Sequence, residues 1–387
     1  DIGGPSLVRS AAKNYSDVTV ITSTDQYSEL INEMKTYKGS TSLEFRKKMS
    51  QSAFSEVAYY DSIIANYFNT ISKVQFPKKK IIHANLIEKL RYGENPHQKA
   101  AVYSKLSDMN IQKIHGKSLS YNNYNDIFSA LTISRSLPTN TGTVIVKHAN
   151  PCGVSILKNN LNSYKSALAC DPISAFGGIV ACNFKVTESI ASELSKIFLE
   201  VVIANSFNKK ALKILKRKKN LRLIDASNIL LNETLKFNSI QNSILVQTED
   251  EKKFSKSDFQ IVSKKKPNKS QYENLIFALN ICRYVKSNAI VLASDKSTIG
   301  IGSGQPSRLD SCKIAIDKMN KFTKIKNEIV AASDAFFPFV DGIETLIQSG
   351  VSAVIQPSGS IRDKEIIKFA NATETILVFS KNRHFKH

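Results

Sequence analysis

A chain of 387 residues is long enough for two or three domains and for a core that needs no covalent staples. Its five cysteines, Cys152, Cys170, Cys182, Cys282 and Cys312, are odd in number and include no C-x-x-C pair, which points to neither a disulfide framework nor a zinc ribbon and fits a reducing cytoplasm. The formal charge of +21 raises a basic nucleic-acid-binding protein as an alternative, but the lysines are spread along the whole chain, and the denser runs at 78–80, 216–219 and 264–266 lack the interleaved aromatics of a single-strand platform.

No apolar run reaches the length of a membrane span, and no secretory signal opens the chain, which starts without Met inside a patterned segment, as a fragment or processed product does. The first residues, DIGGPSLVRSAAK, read as a Gly-Gly-Pro turn followed by a helix with Ser6 near its start. A strand is expected over 18–21, a helix over 25–37 and a long amphipathic helix over 42–68, which contains no Gly or Pro. The polar, basic stretch 71–80 with Pro77 marks a boundary, giving domains 1–76 and 77–387, the latter in two parts that meet near 250. Short strands and turns follow in RYGENPHQKAAVY, and KSLSYNNYND leads into a helix containing Ile127 and Leu131.

Val144, Ile145 and Val146 form a buried strand that delivers Lys147 and His148 into a turn of Asn150, Pro151 and Gly153 that cannot continue it. Placing a cation and an imidazole at the carboxyl end of a strand is how α/β enzymes place reacting groups; a solvated Lys beside a surface His is the plainer reading. A helix over 164–170 then reaches DPISAFGGIVA, whose Gly177-Gly178 pair lets backbone approach closely. Thr187 is placed as the cap of a helix running to Phe198, followed by a strand over 201–204 and a helix over 209–215. Further on come a helix over 271–286, a strand over 289–293, GIGSGQPSR, a helix, SDAFFPFVDGIE and strands over 353–355 and 376–379, before the chain closes on NRHFKH. The two halves share a loose order of strand, Gly-turn and helix, which a sequence period does not prove to be a repeat.

GIGSGQ is not a dinucleotide fingerprint, since its third Gly is misplaced and no acidic residue stands on a following strand. Pro151-Cys152 shares the start of the zinc deaminase P-C-x-x-C, yet Ser155 stands where the second Cys belongs and no H-x-E precedes it, so no metal site is expected. Phe336, Phe337 and Phe339 read by default as core.

RYGENPHQ, SYNN, KHANPCG, DPISAFGGIVA, GIGSGQPSR, SDAFFPF and PSGSIRD, in this order and over essentially the whole chain, closely resemble the bifunctional purine-biosynthesis family that joins phosphoribosylaminoimidazolecarboxamide (AICAR) formyltransferase to inosine monophosphate (IMP) cyclohydrolase. The resemblance implies an α/β fold: two zinc-free, cytidine-deaminase-like lobes preceded by the C-terminal part of a methylglyoxal-synthase-like domain. It implies formyl transfer from 10-formyltetrahydrofolate to AICAR, no catalytic metal, and a cytoplasmic homodimer with sites at its interface, without nucleic-acid or membrane partners. Carried over residue by residue, it makes His148 the proton acceptor, Lys147 the oxyanion stabiliser and Asn288 an amide at the reacting groups. Arg91, Tyr92, Gly177, Glu200, Lys219, Arg383 and Phe385 fall at nucleotide-binding positions, and Phe336, Phe339 and Asp341 at folate-binding ones. Asp1 and Lys13 match cyclohydrolase positions whose Ser, Lys and Tyr companions are missing from this sequence, so cyclisation is expected to be incomplete.

Overall fold

The computed structural model describes every residue except 107–108, 230, 232–234 and 324–327. The chain divides into two compact units, one of Asp1–Ile87 with a short return from Tyr103, the other of Glu88–Val102 and the remainder to His387.

The first unit is built on α1 (Gly3–Lys13), α2 (Tyr27–Thr36) and α3 (Leu43–Ile71). Gly3 to Pro5 do not form a turn before α1 but its first turn, where proline costs no hydrogen bond because the opening N–H groups of a helix lack an internal partner. Ser42 starts α3 by accepting the Phe45 amide at 3.1 Å, and Met49, Ala53 and Val57 make the buried stripe of that helix. The strand expected over 18–21 is absent. A strand needs a neighbour for its N–H and C=O groups, none of the described residues forms a ladder there, and Val20 instead packs with Ala12 and Ala53.

The second unit carries most of the strands after β1 (Asn85–Leu90) and β2 (Ala100–Ser104). In chain order they are β3 (Gln112–His115), β4 (Thr143–Lys147), β5 (Asn150–Ser155), β6 (Gly178–Val186), β7 (Leu199–Phe207) and β8 (Arg222–Asp225). A separate hairpin, β9 (Leu235–Ile240) with β10 (Ser243–Thr248), precedes β11 (Phe259–Ile261), β12 (Ile290–Ser294), β13 (Ser297–Gly302), β14 (Ile329–Ser333), β15 (Val351–Pro357) and β16 (Ile376–Ser380). Twelve of them form one mixed sheet in the order β11-β16-β15-β14-β12-β13-β5-β4-β6-β7-β8-β3. Read outward from the β13–β5 seam, the two sides are the same six-strand pattern, with β3 to β8 matching β11 to β16 and antiparallel and parallel pairings in the same places.

Side chains alternate across these strands, so both faces must be covered. Val144 and Val146 face a cluster with α4 (Tyr121–Arg135) and α9 (Lys269–Cys282), which lie over one side of the whole sheet. Ile145 faces the opposite cluster, which includes residues of α5 (Asn160–Cys170), α6 (Pro172–Ala175), α7 (Glu188–Leu194) and α8 (Lys209–Leu215). In the second half α10 (Arg308–Phe322), α11 (Val340–Gln348) and α12 (Asp363–Ala372) do the same for Ile290 and Leu292. α7 ends at Leu194, short of the expected Phe198, and Thr187 stands at its N-cap without capping an amide, its hydroxyl lying 3.1 Å from Ser189 Oγ. Of the three phenylalanines expected in the core, only Phe337 is buried; Phe339 is half exposed, stacked under the Arg362 guanidinium at 4.7 Å.

Candidate active site

The turn after Lys147 is tighter than the sequence suggests. Asn150, Pro151 and Gly153 do not end the strand but belong to β5, which runs back antiparallel to β4. The reversal is made by His148 and Ala149 alone, both with positive φ (51° and 58°), the pattern of a two-residue primed hairpin turn. Pro151 is tolerated because pairing jumps from Ile145–Gly153 to Val146–Pro151, bulging Cys152 out of register. Left-handed backbone at residues with a β-carbon is strained, and one contact opposes it here: the Asp126 carboxylate accepts the Ala149 amide at 2.6 Å. Burial raises the Asp126 carboxyl above its ordinary value, opposed in part by the Ala149 amide and by the charges of His148 and Lys147.

His148 is therefore exposed at the crest of a stiff turn, and Lys147 is half-buried behind it. The Lys147 ammonium donates to the carbonyls of Phe176 at 3.2 Å and Gly177 at 3.0 Å. Gly177 has φ +69°, which favours glycine, and a β-carbon there would lie 2.9 Å from Lys147 Nζ and displace the ammonium from its place. Next to this hairpin Asn123 donates to Glu200 at 2.8 Å, and Arg222 lies 3.7 Å from the same carboxylate.

The second half of the sheet brings a polar network to the same end, tied to the hairpin by the Lys286 amide donating to Asn150 Oδ1 at 3.0 Å. Arg308, at the start of α10, donates to Ser333 Oγ at 2.8 Å, to Asn288 Oδ1 at 2.7 Å and to the fully buried Asp334 carboxylate. Ser287 donates to the other Asp334 oxygen at 2.6 Å, and Asn288 Nδ2 donates to the carbonyls of Gln305 and Pro306, each at 2.9 Å. A buried carboxylate with this many donors is compensated, so the network fixes the Asn288 amide rigidly.

The other expected residues are less closely gathered. Arg91 stacks on Tyr92 with its guanidinium 4.6 Å from the ring, and Arg383 on Phe385 at 4.4 Å. Lys219 is exposed in the turn before β8; Phe336 and Phe339 follow Asp334 on the connection into α11, and Asp341 in the first turn of that helix accepts the Gly342 amide at 2.7 Å. Asp1 and Lys13 are both exposed, in the first unit. Asp126, Arg222, Ser287, Arg308 and Asp334 were not singled out from the sequence. Arg308 and Asp334 stood inside quoted motifs, but their pairing spans 26 residues that no local pattern connects.

The family model described as AICARFT/IMPCHase bienzyme matches residues 11–318. The chain belongs to the AICARFT/IMPCHase bienzyme family. Members include the bifunctional purine biosynthesis proteins PurH of Acetivibrio thermocellus, 42% identical over 397 residues, Prochlorococcus marinus, 43% over 401, and Aquifex aeolicus, 41% over 392. Each alignment covers 100% of this chain and 76% of the relative. The protein is thus an enzyme of the bienzyme family, and its second unit is an α/β body built on one large mixed sheet. Among the described residues no helix is long and apolar enough to cross a membrane, and no His, Cys, Asp and Glu cluster could hold a metal ion.

Proposed function

We propose that this chain transfers the formyl group of 10-formyltetrahydrofolate to the 5-amino group of AICAR, releasing the formylated nucleotide and tetrahydrofolate. The observation that carries this reading is the Lys147–His148 pair, a cation at the end of β4 and a proton acceptor on the two-residue turn that follows, at the sheet end where Asn288 is fixed. An aromatic amine is a weak nucleophile, so the step needs proton removal and charge stabilisation together. The amine nitrogen attacks the formyl carbon while His148 takes its proton. Lys147, whose two carbonyl acceptors among the described residues leave a third N–H, stabilises the oxyanion of the tetrahedral intermediate. Collapse breaks the bond to the folate nitrogen, which leaves with a proton.

In this reading Asn288 and Arg308 hold the carboxamide and amine in place, Glu200 the ribose, and Arg91, Lys219 and Arg383 the phosphate, for which forked guanidinium donors suit best. Tyr92, Gly177 and Phe385 complete the nucleotide seat, and Phe336, Phe339 and Asp341 take the pterin. The two lobes of the sheet are the cytidine-deaminase-like halves and route no step through a metal. The enzyme acts in the cytoplasm, which its five unpaired, buried thiols fit, and as a homodimer, for which the exposed Ile240 and Leu245, on one face of the β9–β10 hairpin, offer an apolar patch.

The test is steady-state turnover with AICAR and 10-formyltetrahydrofolate, following tetrahydrofolate release and reading IMP separately. His148→Ala is expected to lower kcat by about 10² to 10⁴ with little change in the thermal midpoint. Retention of more than about a tenth of parental kcat in folded protein contradicts the proton-transfer role.

A further inference from the structure

The last residues of the chain are held by a device outside the reacting groups. His384 is 3% exposed although it lies in an irregular tail whose neighbours Arg383 and Phe385 are exposed. Its Nδ1 meets Asp250 Oδ2 at 2.6 Å, its ring stands edge-on to Phe254 at 5.4 Å, and its amide donates to the Asp334 carbonyl at 3.1 Å. Two residues on, the tail closes on the loop before β12: the Ser287 amide donates to the Lys386 carbonyl at 2.9 Å and the Lys386 amide to Ser287 Oγ at 3.2 Å. Ser287 in turn donates to Asp334, the carboxylate that anchors Arg308 and so Asn288. The socket is stiffened by Arg283, which stacks over Phe254 at 5.2 Å and donates to the Lys252 carbonyl at 2.8 Å.

We infer that His384, paired with Asp250, is a positioning residue that latches the C-terminal tail so that Arg383 and Phe385 stand ready for the nucleotide while their own side chains remain available to it. The residue alternation supports this: His384 turns inward, and Arg383 and Phe385 turn outward and stack on one another at 4.4 Å. Without the latch, one or two tail residues must be ordered at each binding event, and that entropy falls on nucleotide affinity rather than on chemistry. The inference rests on the proposed formyl transfer in assigning the nucleotide to Arg383 and Phe385; the existence of the latch does not.

The experiment uses the full chain and the variants His384→Ala, Asp250→Asn, Asp250→Ala and the double alanine. The expected result is a KM for AICAR raised about tenfold, since freeing one or two residues costs that much, with kcat changed less than about threefold and the folate KM unmoved. Asp250→Ala should repeat the effect, the double variant should be no worse than the stronger single one, and Asp250→Asn, which keeps an acceptor, should recover most of the loss. Hydrogen exchange read without substrate should show the Ser287 and Lys386 amides losing protection in His384→Ala, with the β4–β5 hairpin unchanged. An unmoved AICAR KM, a kcat loss at constant KM, or additive effects overturns the positioning role. Unchanged exchange at Ser287 and Lys386 overturns the latch itself. If His384→Ala does not fold, the half-exposed Asp250 variants decide the same points. Parental enzyme that does not turn over AICAR overturns the proposed function, and with it the nucleotide half of the inference, while the exchange data still decide whether the latch exists.

Discussion

Asp126 illustrates how one side chain serves backbone geometry and charge at once. Its carboxylate holds the Ala149 amide, and burial keeps its titration above the ordinary carboxylate value. A carboxyl raised in the folded state favours folding most when protonated, so its contribution is complete at acid pH and is lost as pH rises through the raised value. Asp126→Asn retains an acceptor for the Ala149 amide without the buried charge. Its melting point is therefore expected to equal or exceed that of the parent near neutral pH and to converge with it below the carboxylate range. Its turnover should fall, because the negative charge beside His148 and Lys147 is gone. Asp126→Ala removes the acceptor too and should lose about 1 to 3 kcal/mol, as a buried amide left unpaired does. Melting curves across the pH range, with turnover measured alongside, check both outcomes.

At the scale of the elements, the two central hairpins are copies in detail. β12 and β13 join through Asp295 and Lys296, both with positive φ, and their pairing jumps from Leu292–Gly300 to Ala293–Thr298, bulging Ile299 where the first hairpin bulges Cys152. The helix behind each repeats its contact: Asp126 accepts the Ala149 amide, and Asn274 accepts the Lys296 amide at 2.8 Å. Gly153 and Gly300 occupy matching places, and a β-carbon on either would lie 1.8 Å from the Ala167 carbonyl oxygen or 2.1 Å from that of Ala315. Gly153→Ala and Gly300→Ala are each expected to cost about 3 kcal/mol or more, the upper end of overpacking, read from the denaturant midpoint. The sequence marks Gly153 only as a turn residue and Gly300 only as part of GIGSGQ, because what demands each is a helix that packs from another part of the chain. The hairpin was missed for a related reason. Asn150 and Pro151 carry strong turn signals locally, and the bulge that admits Pro151 exists only once β5 has a partner.

For the whole molecule, the sequence made the mixed α/β character and the Lys147–His148 placement legible, because apolar runs with abrupt ends survive in one dimension. The Arg308–Asp334–Ser287 network was not legible, since each member is an ordinary polar residue until folding joins it to the others. Residues 18–21 were misread because four β-favouring residues do not make a strand without a ladder. The charge of +21 is also a property of the whole. Duplex or single-stranded DNA is expected to bind no better than about 10⁻⁴ to 10⁻⁶ M at physiological salt, and more weakly as salt rises; a nanomolar, sequence-dependent affinity by fluorescence anisotropy would restore the nucleic-acid reading. The seam between β5 and β13 carries a different consequence. There Ser155 faces Ser297 across antiparallel strands, so the two hairpin crests point to opposite ends of the sheet. The backbone thus offers two matching saddles, one crowned by Lys147 and His148, the other by Ser294 and Asp295. A ligand that recognised only the shape of the turn would find two seats on each chain; one that required an ammonium beside an imidazole would find one.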